Sequence, residues 1–151
     1  MTQTNLLSII TVIYNDLAGL KDTLCSIQSQ TFKNYEWIII DGGSTDGSVD
    51  FIKENQDLIT YWVSQPDNGI YDAMNKGIRV ANGDWVTFLN AGDCYTSGFA
   101  LADIFSYDLS SKKFIYTDMF LLDATGKRVR KIKAEPLTKS SITKGMIACH
   151  Q

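Results

Sequence analysis

YEWIIIDGGSTDGS, residues 35–48, carries the reading of the fold. Six residues, Tyr35 to Ile40, are bulky and largely apolar. They give way at Asp41 to a turn rich in Gly, Ser and Asp. A short continuous apolar run bounded by turn residues reads as a strand buried on both faces. A short helix follows, with Val49 and Ile52 as its apolar positions.

The same arrangement recurs on either side. Leu6 to Tyr14 is an apolar, β-branched run ending at Asn15-Asp16, either of which can cap a helix. Leu17, Leu20, Leu24 and Ile27 then repeat at helical spacing. Ile59 to Val63 is a third strand, and the QPDNG turn leads into a helix from Ile70 to Ala81. Ile70, Met74, Ile78 and Ala81 lie on one side of it, with Asn82-Gly83 expected as its C-terminal cap. Trp85 to Leu89 is a fourth strand, closed by FLNAGD at residues 88–93.

Strands alternating with helices predict an α/β fold, a largely parallel sheet with both faces covered. Beyond Asp93 the pattern changes. The sequence predicts a helix at Phe99–Phe105, a strand at Phe114–Thr117 and a hairpin pairing Met119–Leu122 with Val129–Ile132 around a turn at 123–127. A last short helix is expected at Leu137–Gly145.

Composition narrows the function. The 151 residues, 44% hydrophobic, are enough for one domain with a sizeable core. A net charge of -3 argues against a nucleic-acid partner, which needs clustered Lys and Arg. One basic cluster exists, Lys127, Arg128, Arg130, Lys131 and Lys133, and reads either as a solvated strand or as a site for an anionic surface or acceptor. Three cysteines without metal spacing suggest a reducing compartment. LLSIITVIY lacks the basic flank of a signal peptide and is too short to span a bilayer. The expected location is cytoplasmic, with peripheral membrane association left open.

In open α/β sheets ligands bind outside the carboxyl ends of the strands. Those ends deliver Tyr14 and Asn15, then Asp41 and Ser44, then Asp67, then Asn90 and Asp93. Singly, each has a bland alternative as a cap or turn residue, and Asp72 with Lys76 has one as an exposed i,i+4 pair. Together, several acids on one rim suit a ligand with hydroxyl or imide donors and a hard cation bound through oxygen. Tyr14 is placed to stack on a base. No GxGxxG, GxxxxGK[ST] or GxSxG motif is present.

SIITVIYN (8–15), SIQSQTFKNYEWIIIDGGSTDGS (26–48) and SQPDNGIYDAMNKGIRVANGDWVTFLNAGD (64–93) together resemble the family 2 inverting glycosyltransferases of the GT-A fold. CHQ at the end resembles a segment of a bacterial subgroup that builds surface polysaccharides. The resemblance implies a three-layer α/β/α domain with a mainly parallel mixed sheet. Residues 1–151 would be one GT-A domain, the N-terminal part of a longer protein. Residues 1–93 would be its nucleotide-binding half and residues 94–151 the start of its acceptor-side half.

It implies transfer of a sugar from a nucleotide-sugar donor, a UDP-sugar first, to a glycan or lipid-linked glycan acceptor, with Mg2+ or Mn2+. Carried over by position, Tyr14 packs on the base with Asn15 beside it, and Asp41 accepts from the base edge. Ser44 and Asp67 line the nucleoside pocket, Lys76 supports it from its helix, and Asp93 is the last position of a DxD-type metal motif. Where relatives often have two or three acids, this chain has Asn90, Ala91, Gly92 and Asp93. The family's base lies in a later acidic segment, so the resemblance puts it beyond Gln151. His150 reads either as structural or as a ligand of diphosphate, metal or acceptor. The rival readings are a nucleotide-sugar-binding module without transfer and a sugar nucleotidyltransferase. The second would need a basic Gly-rich loop, which VIYNDLAGLK lacks.

Overall fold

The computed structural model describes residues 6–134. The chain divides into two compact units, Met1–Asp108 and Leu109–Gln151. The first holds β1 (Leu7–Ile13), α1 (Leu17–Gln28), β2 (Tyr35–Asp41), α2 (Ser48–Glu54), β3 (Tyr61–Ser64), α3 (Ile70–Val80), β4 (Trp85–Phe88) and α4 (Ala100–Phe105). Its four strands form a parallel sheet in the order β3-β2-β1-β4. The α/β expectation is met.

Alternation along the strands sorts the core into two layers. Leu7, Ile9 and Ile13 of β1 and Trp37 and Ile39 of β2 face Leu20, Leu24 and Ile27 of α1, together with Ile52 and Leu101. Ile10, Val12, Ile38 and Ile40 point the other way, onto Ala73 and Met74 of α3. The indole nitrogen of the buried Trp37 is satisfied: its Nε1 donates to Thr11 Oγ1 at 2.9 Å, and that hydroxyl donates on to the Leu89 carbonyl at 2.8 Å.

The first unit extends past Asp93 because the end of α1 and the residues just after it hold the next segment. Gln30 donates from Nε2 to the Ser97 carbonyl at 2.8 Å and accepts from the Leu101 N–H at 3.1 Å. Phe32 stacks on Phe105 with ring centroids 4.5 Å apart.

Three expectations are corrected. Asn82-Gly83 does not form a left-handed cap: α3 ends at Val80, and Ala81 is already extended at φ -68 and ψ 135. Gly83 is needed for space instead, because a Cβ there would stand 2.6 Å from Ser8 Oγ and 2.8 Å from the Leu6 carbonyl. The third strand begins at Tyr61 rather than Ile59, since a 3-10 turn at Gln56–Leu58 precedes it and Ile59 packs into the core. Residues 114–117 are not a strand. They pair with no strand among the described residues, and Phe114 stays exposed.

The second unit contains the expected hairpin, β5 (Met119–Leu122) antiparallel to β6 (Arg128–Ile132). Asp123 Oδ1 organises its turn by accepting from the Thr125 and Lys127 N–H groups at 2.9 and 3.0 Å. The helix expected at 137–145 lies outside the described residues.

At the other end of the sheet from the polar rim, Glu36 is buried and locks three segments together. Its Oε1 accepts from Ser8 Oγ at 2.5 Å and from the Asn82 N–H at 2.5 Å. Burial by itself would raise the Glu36 pKa. The hydrogen bonds from Ser8, Asn82 and Gly83 outweigh it and hold the carboxyl below its ordinary range. A depressed folded pKa gives stability that is fully present above the unfolded value, ~4.3. It is lost as pH falls through the folded value. Glu36→Gln is therefore expected to flatten the pH dependence of Tm below about pH 4, a change that acid titration followed by thermal unfolding will read.

Candidate functional site

The loops that follow β1, β2 and β3 are tied to one another before any ligand is considered. Asn15 has φ 51, a left-handed conformation that Asn tolerates better than most residues. In it, the Asn15 N–H donates to Ser44 Oγ at 2.7 Å, and Asn15 Oδ1 accepts from the Thr45 N–H at 2.8 Å. One residue on, Asp16 caps α1 by accepting from the Gly19 N–H at 2.9 Å. Asp46 Oδ2 accepts from the Leu17 N–H at 2.8 Å while its Oδ1 accepts from Ser48 Oγ at 2.6 Å. The Ser48 hydroxyl is the first cause that holds the Asp46 carboxyl below its usual range.

Asp41 is the hub beneath these loops, and it is fully buried. Its Oδ2 accepts from the Gly43 N–H at 3.1 Å, the Ser44 N–H at 3.0 Å and Ser64 Oγ at 2.5 Å. Its Oδ1 accepts from the Ser44 hydroxyl. The sequence expectation placed this carboxylate against a base edge. The structure turns it inward, where its oxygens hold the 42–44 turn and the end of β3. Ser64, its partner in register across the β2–β3 pair, was not among the expected site residues. Its signal was a lone polar residue at a strand's carboxyl end.

Above the hub, two side chains meet at Gly42. A Cβ there would stand 2.8 Å from Asp67 Oδ2 and 3.3 Å from Tyr14 Cδ2, so the bare backbone lets both side chains close in. Tyr14 is 66% exposed and offers its ring to solvent beside that carboxylate. Asp67 Oδ1 accepts from the Gly69 N–H at 2.8 Å, which sets the turn into α3. Lys76 reaches back from α3 to the Pro66 carbonyl at 3.3 Å and to Asp72 Oδ2 at 3.2 Å. Asp72 in turn accepts from the Asn68 N–H at 3.1 Å. That bond, ahead of Lys76, holds its carboxyl below the usual range. The Asp72–Lys76 pair thus braces the 66–72 turn rather than floating on an exposed face.

Asp93 is held by α1. The turn passes through Gly92 at φ +88, a conformation that side chains rarely adopt. Thr23, fully buried on α1, accepts from the Gly92 N–H at 3.1 Å and donates to the Asp93 carbonyl at 2.9 Å. Gly19, one helical turn earlier, leaves room for the loop: a Cβ there would meet the Gly92 nitrogen at 2.7 Å. The side chain of Asp93 lies in an exposed position at the rim. Thr23 was also missed by the sequence reading. Its signal was the small pair Gly19 and Thr23 at i,i+4, inside the apolar stripe of α1. Thr23→Val keeps the shape and removes both bonds, so a loss of about 2 kcal/mol in stability is expected. Thr23→Ser, which keeps the hydroxyl, should stay near the parent in thermal unfolding.

The structure therefore joins Tyr14, Asn15, Asp41, Ser44 and Asp67 in one linked group, braced by Lys76, and mounts Asp93 on the neighbouring turn. His150 lies outside the described residues. Among the described residues no group of three or more His, Cys, Asp or Glu could hold a metal ion. The Asp93 carboxylate by itself suits a cation whose shell is shared with a ligand's phosphates, and not a cation caged by protein alone.

The sequence profile of glycosyl transferase family 2 matches residues 8–108, which span β1 through α4. The chain belongs to this glycosyltransferase family. An uncharacterized glycosyltransferase of Mycobacterium tuberculosis is 42% identical over 97 residues, 64% of this chain and 37% of that protein. A PGL/p-HBAD biosynthesis glycosyltransferase of Mycobacterium bovis is 33% identical over 121 residues, 76% of this chain and 46% of that protein. The matches thus span less than half the length of these curated relatives.

Among solved structures, the mannosyltransferase PcManGT of Pyrobaculum calidifontis, in complex with GDP-Man and Mn2+, matches with a TM-score of 0.63 at 23% identity. That match covers 70% of this chain and 32% of PcManGT. TarS of S. aureus, in complex with UDP, matches with a TM-score of 0.60 at 25% identity, over 66% of this chain and 31% of that one. The fold is that of the GT-A glycosyltransferases. Among the described residues of this family 2 chain, no helix is long and apolar enough to cross a membrane.

Proposed function

We propose that the first unit binds the nucleotide-sugar donor of an inverting sugar transfer, with a UDP-sugar as the first candidate donor. The observation that carries this reading is the meeting of the exposed Tyr14 ring, Asp67 and the bare backbone of Gly42 at the carboxyl ends of β1 to β3. A flat ring beside a carboxylate suits a nucleoside, which offers an aromatic face for stacking and N–H or O–H groups for an acceptor oxygen.

In this reading Tyr14 stacks on the base, and Asn15 shapes the loop under it. Asp67 accepts from a hydroxyl or imide of the nucleoside. Asp41 and Ser44 act as positioning residues, because their polar atoms are already committed to the loops that the nucleoside rests on. Lys76 positions the Asp67 turn through Pro66. Asp93 would hold an Mg2+ or Mn2+ ion together with the donor diphosphate. The bound cation supplies charge neutralisation for the diphosphate as it leaves.

The acceptor in this reading is a glycan or lipid-linked glycan in cell-surface polysaccharide synthesis, met in the cytoplasm at the inner face of the membrane. Its hydroxyl oxygen bonds the anomeric carbon from the face opposite the diphosphate as the bond to the diphosphate breaks, its proton passes to a general base, and the result is inversion.

A thermal-shift panel of nucleoside diphosphates with Mn2+ tests the donor assignment. UDP with Mn2+ is expected to raise Tm most. A purine diphosphate that stabilises more than UDP refutes the uridine assignment, and no shift with any nucleotide refutes the donor site altogether. Donor hydrolysis or transfer by the full-length gene product separates an enzyme from a binding module.

A further inference from the structure

We infer that the hairpin formed by β5 and β6 is a docking element for an anionic phospholipid surface. Five basic residues, Lys127, Arg128, Arg130, Lys131 and Lys133, fall within seven positions. Only two acids, Asp118 and Asp123, accompany them in residues 118–133, inside a chain whose net charge is -3. That stretch is net +3, which leaves the remainder of the chain at net -6. Charge is therefore segregated: a basic hairpin on an otherwise acidic protein is drawn to an anionic surface while the remainder is repelled from it.

The acids do not cancel the patch. Asp123 is consumed by its own turn, accepting from Thr125 and Lys127. Asp118 pairs with Lys131 at 2.6 Å and also accepts from the Ala134 N–H. Lys127 and Arg130 have no ion pair among the described residues. The Arg128 guanidinium lies 4.3 Å from the centroid of the Phe120 ring, which keeps its charge while fixing its direction.

Apolar exposure beside these charges selects a lipid surface over a purely ionic partner. Leu122 and Val129, 49% and 60% exposed, flank the turn on either strand. Among the described residues these two aliphatic side chains stay exposed next to the exposed cations Lys127, Arg128 and Arg130. At a bilayer, those side chains enter the headgroup layer as the basic ones meet lipid phosphates. The inference shares with the functional reading only its location at a membrane, and its test needs no nucleotide.

The test is sedimentation of the chain with phosphatidylcholine vesicles, with and without phosphatidylglycerol, at low and high salt. Retention is expected on the phosphatidylglycerol vesicles at low salt, with loss at high salt and little on phosphatidylcholine alone. Each removed cation should weaken binding roughly 5-fold, so Lys127→Ser/Arg130→Ser/Lys133→Ser together should lose on the order of 100-fold. Val129→Ser should lose several-fold. UDP binding with Mn2+ is expected unchanged in all of these variants, so failure here and failure of the donor site read out separately.

Equal retention on both vesicle types, no retention on either, or full retention of the triple variant overturns the inference. Capture of soluble polyphosphate without retention on vesicles overturns it as well, in favour of an anionic polymer. The lipid and salt dependence of the unaltered chain stands even if a variant fails to fold.

Discussion

Asp41→Ala is expected to destabilise the first unit by about 3–5 kcal/mol, because it strands several half-buried donors at once. The Gly43 and Ser44 N–H groups and the Ser44 and Ser64 hydroxyls all donate to this carboxylate. A donor left unsatisfied costs about 1–3 kcal/mol, less where water can enter the half-buried turn. Against a total stability of roughly 5–15 kcal/mol, that is a large share. Thermal unfolding should show a fall in Tm of ~15 °C or more. Nucleotide affinity should fall with it, since the turn under Tyr14 and Asp67 loses its anchor. The alternative, a carboxylate whose main task is to touch the base, predicts something else: weaker uridine binding with Tm unchanged. Measuring both quantities on one variant distinguishes the two roles.

Asp93→Ala is expected to do the reverse. Thr23 holds this turn through the backbone of Gly92 and Asp93, and those bonds survive the substitution. Stability should change by about 0.5 kcal/mol or less, as at most surface positions. Binding of UDP in the presence of Mn2+ should weaken on the order of 100-fold or more, since losing even a partner of a metal ligand costs about 10–100-fold in affinity. Binding of UDP without metal should be untouched. Calorimetry on the variant with and without Mn2+ reads both. An unchanged metal-dependent affinity would remove Asp93 from the cation's shell.

The contrast between these two acids shows what the sequence could and could not convey. Both follow a strand, and both are flanked by glycine. The strands themselves were legible because the runs IITVI in β1 and WIII in β2 are apolar on both faces, and the helices because Leu20, Leu24 and Ile27 repeat at helical spacing. The hairpin was legible from its turn, where Asp123 and Gly126 have local work to do.

The hydrogen-bonding partners were not legible. Thr23 and Asp93 are 70 residues apart, and Ser64 and Asp41 are 23 apart. A hydroxyl that bonds a distant backbone group leaves no period in the sequence. For the same reason Gly83 looked like a helix cap, when its constraint comes from Ser8 across the sheet. The strand expected at 114–117 failed because apolar, β-prone residues still need a neighbour to pair with.

One thermodynamic cycle tests the coupling between the donor site and its rim acid. The chain should be titrated calorimetrically with Mn2+ alone, with UDP alone and with UDP in the presence of Mn2+. With one protein carboxylate to offer, Mn2+ alone should bind weakly, and each ligand should tighten the other by the same factor. If Mn2+ binds as tightly without nucleotide as with it, or if UDP binds equally well in its absence, the shared-cation account of Asp93 is wrong.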